Sequence, residues 1–69
     1  MPTFASRVRS LRKARGLTQK QAAALFGMAE IAWRKYEAGE RTPTYDGLLA
    51  LADFFGVSLD YLTGRSDDH

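Results

Sequence analysis

Six cations, Arg7, Arg9, Arg12, Lys13, Arg15 and Lys20, all precede the first acid of this 69-residue chain, Glu30. From Glu30 onward eight acids face four bases, so a net charge of only +2 conceals a first part at +6 and a second at −4. Such polarity suits an N-terminal face that meets a polyanion, although a solvated basic helix would look the same from charge alone. Bond-making chemistry has far less to work with. Cys is absent, and the single His is the last residue. Asp46, Asp53 and Asp60 recur at sevens but span two predicted helices and have no His or Cys partner. No Gly-rich phosphate loop follows a strand. An enzyme, a metal, a cofactor or a small-molecule substrate is therefore not expected, and binding is.

The elements that must position these charges are helical. Phe4, Val8 and Leu11 share one face of a helix predicted from about Phe4 to Ala14, leaving Ser6, Arg9 and Lys13 to solvent. Gly16 ends it, with Lys13 and Arg15 near the negative end of its dipole. Thr18 then opens a second helix with a T-x-x-Q capping box completed by Gln21. Ala22, Ala23 and Phe26 give that helix a small apolar face, and Gly27 breaks it. A second amphipathic segment, Ala29 to Ala38, stops at Gly39. Two helices crossing over a short Gly turn form a helix-turn-helix pattern, in which the second helix enters a DNA major groove.

After a polar loop through Pro43, Thr44 caps a helix predicted from Tyr45 to Phe55, with Leu48, Leu51, Ala52 and Phe55 as its buried stripe. Gly47 in its first turn weakens it by roughly 1 kcal/mol relative to Ala. Gly56 closes it, Ser58 caps a short helix from Leu59 to Thr63, and Gly64 ends that one. Residues 65–69 read as a frayed polar tail. No alternating run is long enough for a strand. With 45% hydrophobic and 26% charged residues, the chain has the composition of one small folded domain. Its longest apolar run, Ala22 to Ala29, is too short to span a membrane, and the N-terminus lacks the apolar core of a signal peptide. A cytoplasmic location is expected.

Several motifs in a single register then connect the chain to a known group. They are R-x-L-R-x-x-R-G-L-T-Q (Arg9 to Gln19), Ala23, Gly27, Y-E-x-G (Tyr36 to Gly39), Pro43, L-L-x-L-A (Leu48 to Ala52) and G-V-S-L-D-Y-L (Gly56 to Leu62). From Val8 to Gly64 the sequence resembles the phage-repressor and Cro-like helix-turn-helix domains, the XRE family of transcriptional regulators. The resemblance implies an all-α, compact five-helix bundle of the lambda-repressor-like kind over residues 1–64, binding duplex DNA, usually as a symmetric dimer. It also implies that Gln19, beside Thr18 at the start of the second helix, anchors a phosphate, where unpaired backbone N–H groups favour an anion. Arg9 of the first helix joins them, and Arg41 and Thr42 resemble a phosphate clamp across the groove. Arg12 and Glu37 match a structural salt bridge between the first and third helices.

The resemblance places Met28, Trp33 and Tyr36 on the buried side of the third helix, with Ala32 alongside. By exclusion Ala29, Glu30, Ile31, Arg34 and Lys35 face outward. Ala29 stands where Ser or Thr usually caps this helix, forfeiting about 0.5–2 kcal/mol. Glu30 can accept only from a cytosine amino group, and Ile31 can offer only van der Waals contact, best matched by a thymine methyl. Arg34 can take guanine O6 and N7 with two bonds, and Lys35 can go to guanine or phosphate. A solvated face would be the preferred reading of Arg34 and Lys35 without the family match; with it, DNA contact by at least one is expected.

The expected function is a sequence-specific, double-stranded-DNA-binding transcriptional regulator, with repression as the expected mode and the segment from about 29 to 38 in the major groove. Leu59, Tyr61 and Leu62, with Phe54, are the candidate homodimer surface, and packing beneath the fifth helix is an equal alternative for Phe54. Paired copies would meet half-sites about 34–36 Å apart. The alternative is a protein-interaction module on the same fold, antitoxin-like or an antirepressor partner, suggested by the poor hydrogen-bonding equipment of Ala29, Glu30 and Ile31.

Overall fold

The computed structural model describes residues 2–68 and contains five helices: α1 (Phe4–Ala14), α2 (Gln19–Leu25), α3 (Glu30–Glu37), α4 (Tyr45–Phe55) and α5 (Leu59–Leu62). His69, the last residue of the expected polar tail, lies outside the described residues. Among those residues no strand forms, and no helix is long and apolar enough to cross a membrane.

Short polar side chains start four of the five helices. Thr3 and Ser6 form a capping box on α1. Thr18 and Gln21 form the expected one on α2, with Gln21 N–H donating to Thr18 Oγ1 at 3.0 Å and Thr18 N–H to Gln21 Oε1 at 2.9 Å. Thr44 and Ser58 cap α4 and α5. Ala29, the residue before α3, makes no side-chain cap. The third helix is thus one residue shorter at each end than its periodicity suggests, with Ala29 and Ala38 as its caps, and Thr63 is the C-cap of α5. Gly27, at φ +64°, makes the sharp turn from α2 to α3 that a side chain would strain.

The core is Val8 of α1, Ala22 and Ala23 of α2, Trp33 and Tyr36 of α3, Leu51, Ala52 and Phe55 of α4, and Leu62 of α5. Phe4, Leu11 and Leu48 pack half-buried against it, completing the stripes read from the sequence. The two buried alanines let α2 lie close to α3, where Phe26 stacks on Trp33 with ring centres 5.8 Å apart. Gly47 proves to have a packing reason, because a Cβ there would approach the Pro43 ring to 3.0 Å.

Three expectations change. The dimer surface expected from the sequence includes Leu62, but this residue has no exposed area and belongs to the core cluster with Val8 and Trp33. Arg7 was counted with the polyanion-facing cations, yet it is buried: its guanidinium lies 3.8 Å from the centre of the Tyr61 ring and donates to Asp67 at 2.7 Å. The segment from Arg65 to Asp68 is tied back rather than frayed. Arg65 N–H donates to Asp60 O at 2.8 Å, and Ser58 Oγ donates to Asp68 O at 3.3 Å.

Candidate nucleic-acid interface

Helix α3 has one buried side and one open side, and the division follows from its 100° step per residue. Trp33 and Tyr36 point into the core, with Ala32 half-buried at its edge. Opposite them stands Ile31, 63% exposed, at the middle of the open side. Arg34 and Lys35, both exposed, flank it. Glu30, at the first turn, accepts from Arg34 NH2 at 2.8 Å. The four residues expected to read bases therefore share one face.

A shallow depression of about 460 Å³ runs beside that face, lined by Arg9, Arg12, Gln19, Arg34, Glu37 and Ala38. It draws α1, α2 and α3 together around one carboxylate. Arg12 Nε donates to Glu37 Oε2 at 2.6 Å and Arg12 NH2 to Glu37 Oε1 at 3.1 Å. Gln19 Nε2 donates to Oε1 at 3.2 Å, and Trp33 Nε1 donates to Oε2. Arg12 NH1 reaches on to the Leu17 carbonyl at 2.8 Å, fixing the turn that leads into α2. Burial pushes the Glu37 carboxyl up, but hydrogen bonds from Arg12, Trp33 and Gln19, with the Arg12 charge, outweigh it and hold the group below the usual carboxylate range.

The remaining candidates divide by position. Arg9 is exposed on the rim of the depression, and Gln19 is half-buried within it. Thr18 is exposed, but its hydroxyl and N–H are both engaged in the capping box. Arg41 and Thr42 are exposed in the loop that follows α3. Of the other early cations, Lys13 and Lys20 are exposed, while Arg15 donates to the Phe54 carbonyl at 2.9 Å and covers that ring. Phe54 itself is half-buried and meets Phe26 of α2 edge-on at 5.3 Å. Leu59 and Tyr61 are half-buried, Tyr61 beneath Arg7.

Two functional contacts were not anticipated from the sequence. The bond from Trp33 to Glu37 had a signal, the i, i+4 spacing of the two residues on one helix. The bond from Gln19 to Glu37 had none, because it depends on how α2 crosses α3.

Comparison with known proteins identifies the domain as a whole. A family model described as a helix-turn-helix domain matches residues 3–65. The chain is 42% identical over 65 residues to the HTH-type transcriptional regulator YobD of Bacillus subtilis, covering 94% of this chain and 58% of that protein. It is 41% identical over 59 residues to the cryptic phage CTXphi transcriptional repressor RstR of Vibrio cholerae, covering 86% and 53% respectively. The chain thus spans between half and three fifths of these relatives. Among solved structures, the P22 c2 repressor in complex with a synthetic operator superposes with a TM-score of 0.84 at 27% identity, over 96% of this chain and all of that one.

Proposed function

The chain belongs to the helix-turn-helix domain family, and from that premise we propose that it is a sequence-specific regulator of transcription, in the manner of a repressor, that lays α3 in the major groove of duplex DNA. The observation that carries the proposal is the open face of α3. Ile31 projects at its middle, flanked by Arg34 and Lys35, with Arg9 and Gln19 in the depression beside it and Arg41 and Thr42 exposed in the loop that follows. Glu30, Ile31, Arg34 and Lys35 present the face turned to the bases, Ile31 meeting a thymine methyl and Arg34 a guanine edge. Arg9, Thr18 and Gln19 hold one phosphate strand and Arg41 and Thr42 the other, setting the depth and register of α3. A repressor of the same fold solved on an operator supports duplex DNA as the partner.

Two copies acting together fit a palindromic site, and Leu59, Tyr61 and Phe54 remain the residues proposed to meet across the two-fold axis; fully enclosed Leu62 does not. A duplex-DNA partner supports a cytoplasmic location. The 63% exposure of Ile31 also favours a second reading, docking of a protein on the same face. A salt titration against random-sequence duplex separates the two. A DNA reader associates with a logarithmic affinity that falls linearly with the logarithm of salt, whereas a module that ignores DNA shows no such association.

A further inference from the structure

The open face of α3 carries two cations, and the structure treats them differently. Lys35 is exposed and pairs with no carboxylate among the described residues. Arg34, four residues after Glu30, holds that acid at 2.8 Å, although 59% of its side chain remains exposed. Arg34 also lines the depression that contains Arg9 and Gln19. Left unpaired, its guanidinium would be one more cation available to phosphates, attracting every DNA sequence alike. Left unpaired, Glu30 would repel the same phosphates. Joined, the two form a unit of no net charge that spans the first and last turns of the helix, and most of the Arg34 side chain stays exposed. A guanidinium already held in one direction also loses less rotamer freedom when it meets a base.

We propose that Glu30 and Arg34 act as a single specificity device: Glu30 is a positioning residue that withdraws Arg34 from phosphate binding and confines it to a guanine edge. The proposal rests on the DNA-binding reading and deepens it. Lys35 then supplies general attraction on this face, and the Glu30–Arg34 unit supplies discrimination. Discrimination is gained as much by weakening the grip on random DNA as by strengthening the grip on the right site.

The test compares the parent with Glu30→Gln, Arg34→Gln, the double variant and Asp53→Asn, which removes an equal charge from the exposed side of α4. Each is titrated with the best site selected from a randomised duplex pool and with random-sequence duplex, at several salt concentrations. Glu30→Gln should bind random duplex more tightly, with a salt slope steeper by about one, because one cation is released to phosphates. It should also lose about tenfold or more of its preference for the selected site. Arg34→Gln should lose preference at the same base pair, and the double variant should be no less selective than Arg34→Gln, with its salt slope back at the parent value. Asp53→Asn should change neither quantity. Full preference retained by Glu30→Gln, or loss at a base pair that Arg34→Gln leaves intact, would overturn the proposal. A parent that shows no salt-sensitive association with any duplex would remove the DNA reading, and this device with it.

Discussion

The Arg12 guanidinium grips both oxygens of Glu37, at 2.6 and 3.1 Å, and so joins the last turn of α1 to the last turn of α3. Both side chains are nearly enclosed, with 10% and 5% of their surface exposed. Removing one partner would leave the other charge buried without compensation, which costs more than the pair itself contributes. Arg12→Met is therefore expected to destabilise the domain by roughly 3–5 kcal/mol, although Met matches the aliphatic stem. Urea unfolding followed by Trp33 fluorescence measures it, since the indole donates to the same carboxylate. A loss below about 1 kcal/mol would mean that the fork is solvent-screened.

The same carboxylate predicts the response to acid. Glu37 titrates below its ordinary value of 4.5 in the folded protein. A depressed folded value contributes stability that is fully present above the unfolded pKa and lost as pH falls through the folded one. Stability should therefore decline from about pH 4.5 downward, as protonation removes the acceptor for Arg12, Gln19 and Trp33. Glu37→Gln should be less stable at neutral pH and should flatten this decline. Denaturation midpoints measured between neutral pH and about pH 3 in both proteins provide the check, and parallel curves would show that other carboxylates govern the acid limb.

Much of this arrangement was legible in the sequence because it depends on local chemistry. Thr18 with Gln21, Thr44 and Ser58 announce helix starts through hydrogen bonds three residues long, and Leu51, Ala52 and Phe55 announce a buried face through periodicity. Leu62 misled because an apolar residue near the end of a short helix can cover the core or leave it, and only the path of the chain decides. Arg7 misled for the opposite reason. Its charge suggested solvent, while its position between Phe4 and Leu11 lay beside the apolar stripe, and Tyr61 and Asp67 arrive from more than fifty residues away.

Gln19, half-buried in the depression beside α3, and Arg41, exposed in the loop that follows α3, should fail in different ways. Arg41 is exposed and makes no ion pair among the described residues. Arg41→Ala should weaken binding to all duplexes similarly and reduce the salt slope by about one, with the unfolding midpoint unchanged. Gln19→Ala should also weaken binding to all sequences, but it removes a donor to Glu37 at 3.2 Å and should lower stability by about 1 kcal/mol as well. Salt titrations paired with thermal melts separate the two. Equal melting temperatures for both variants would place the Gln19 amide outside the Glu37 network.

Asp67 and Gly64 both approach the N-terminal part of α1, and their contacts differ in strength for reasons of exposure. Asp67 bonds Arg7 at 2.7 Å but is 92% exposed, so solvent and salt screen the pair. Asp67→Asn should cost less than about 1 kcal/mol. Gly64 is another matter. It sits at φ +81°, and a Cβ there would come within 2.5 Å of the Pro2 carbonyl oxygen. That neighbour is backbone and cannot rotate aside, so Gly64→Ala must either displace the start of α1 or straighten the exit from α5. A loss of more than about 1 kcal/mol is expected, from the left-handed conformation and the collision together. Because the displacement would fall on Pro2 and Thr3, the Thr3–Ser6 capping box should open first. Amide exchange at Ser6, whose N–H donates to Thr3 Oγ1, should accelerate in Gly64→Ala while that of Gln21 in the α2 box stays slow. Unchanged exchange at Ser6 would show that α5, rather than the N-terminus, yields to the added carbon.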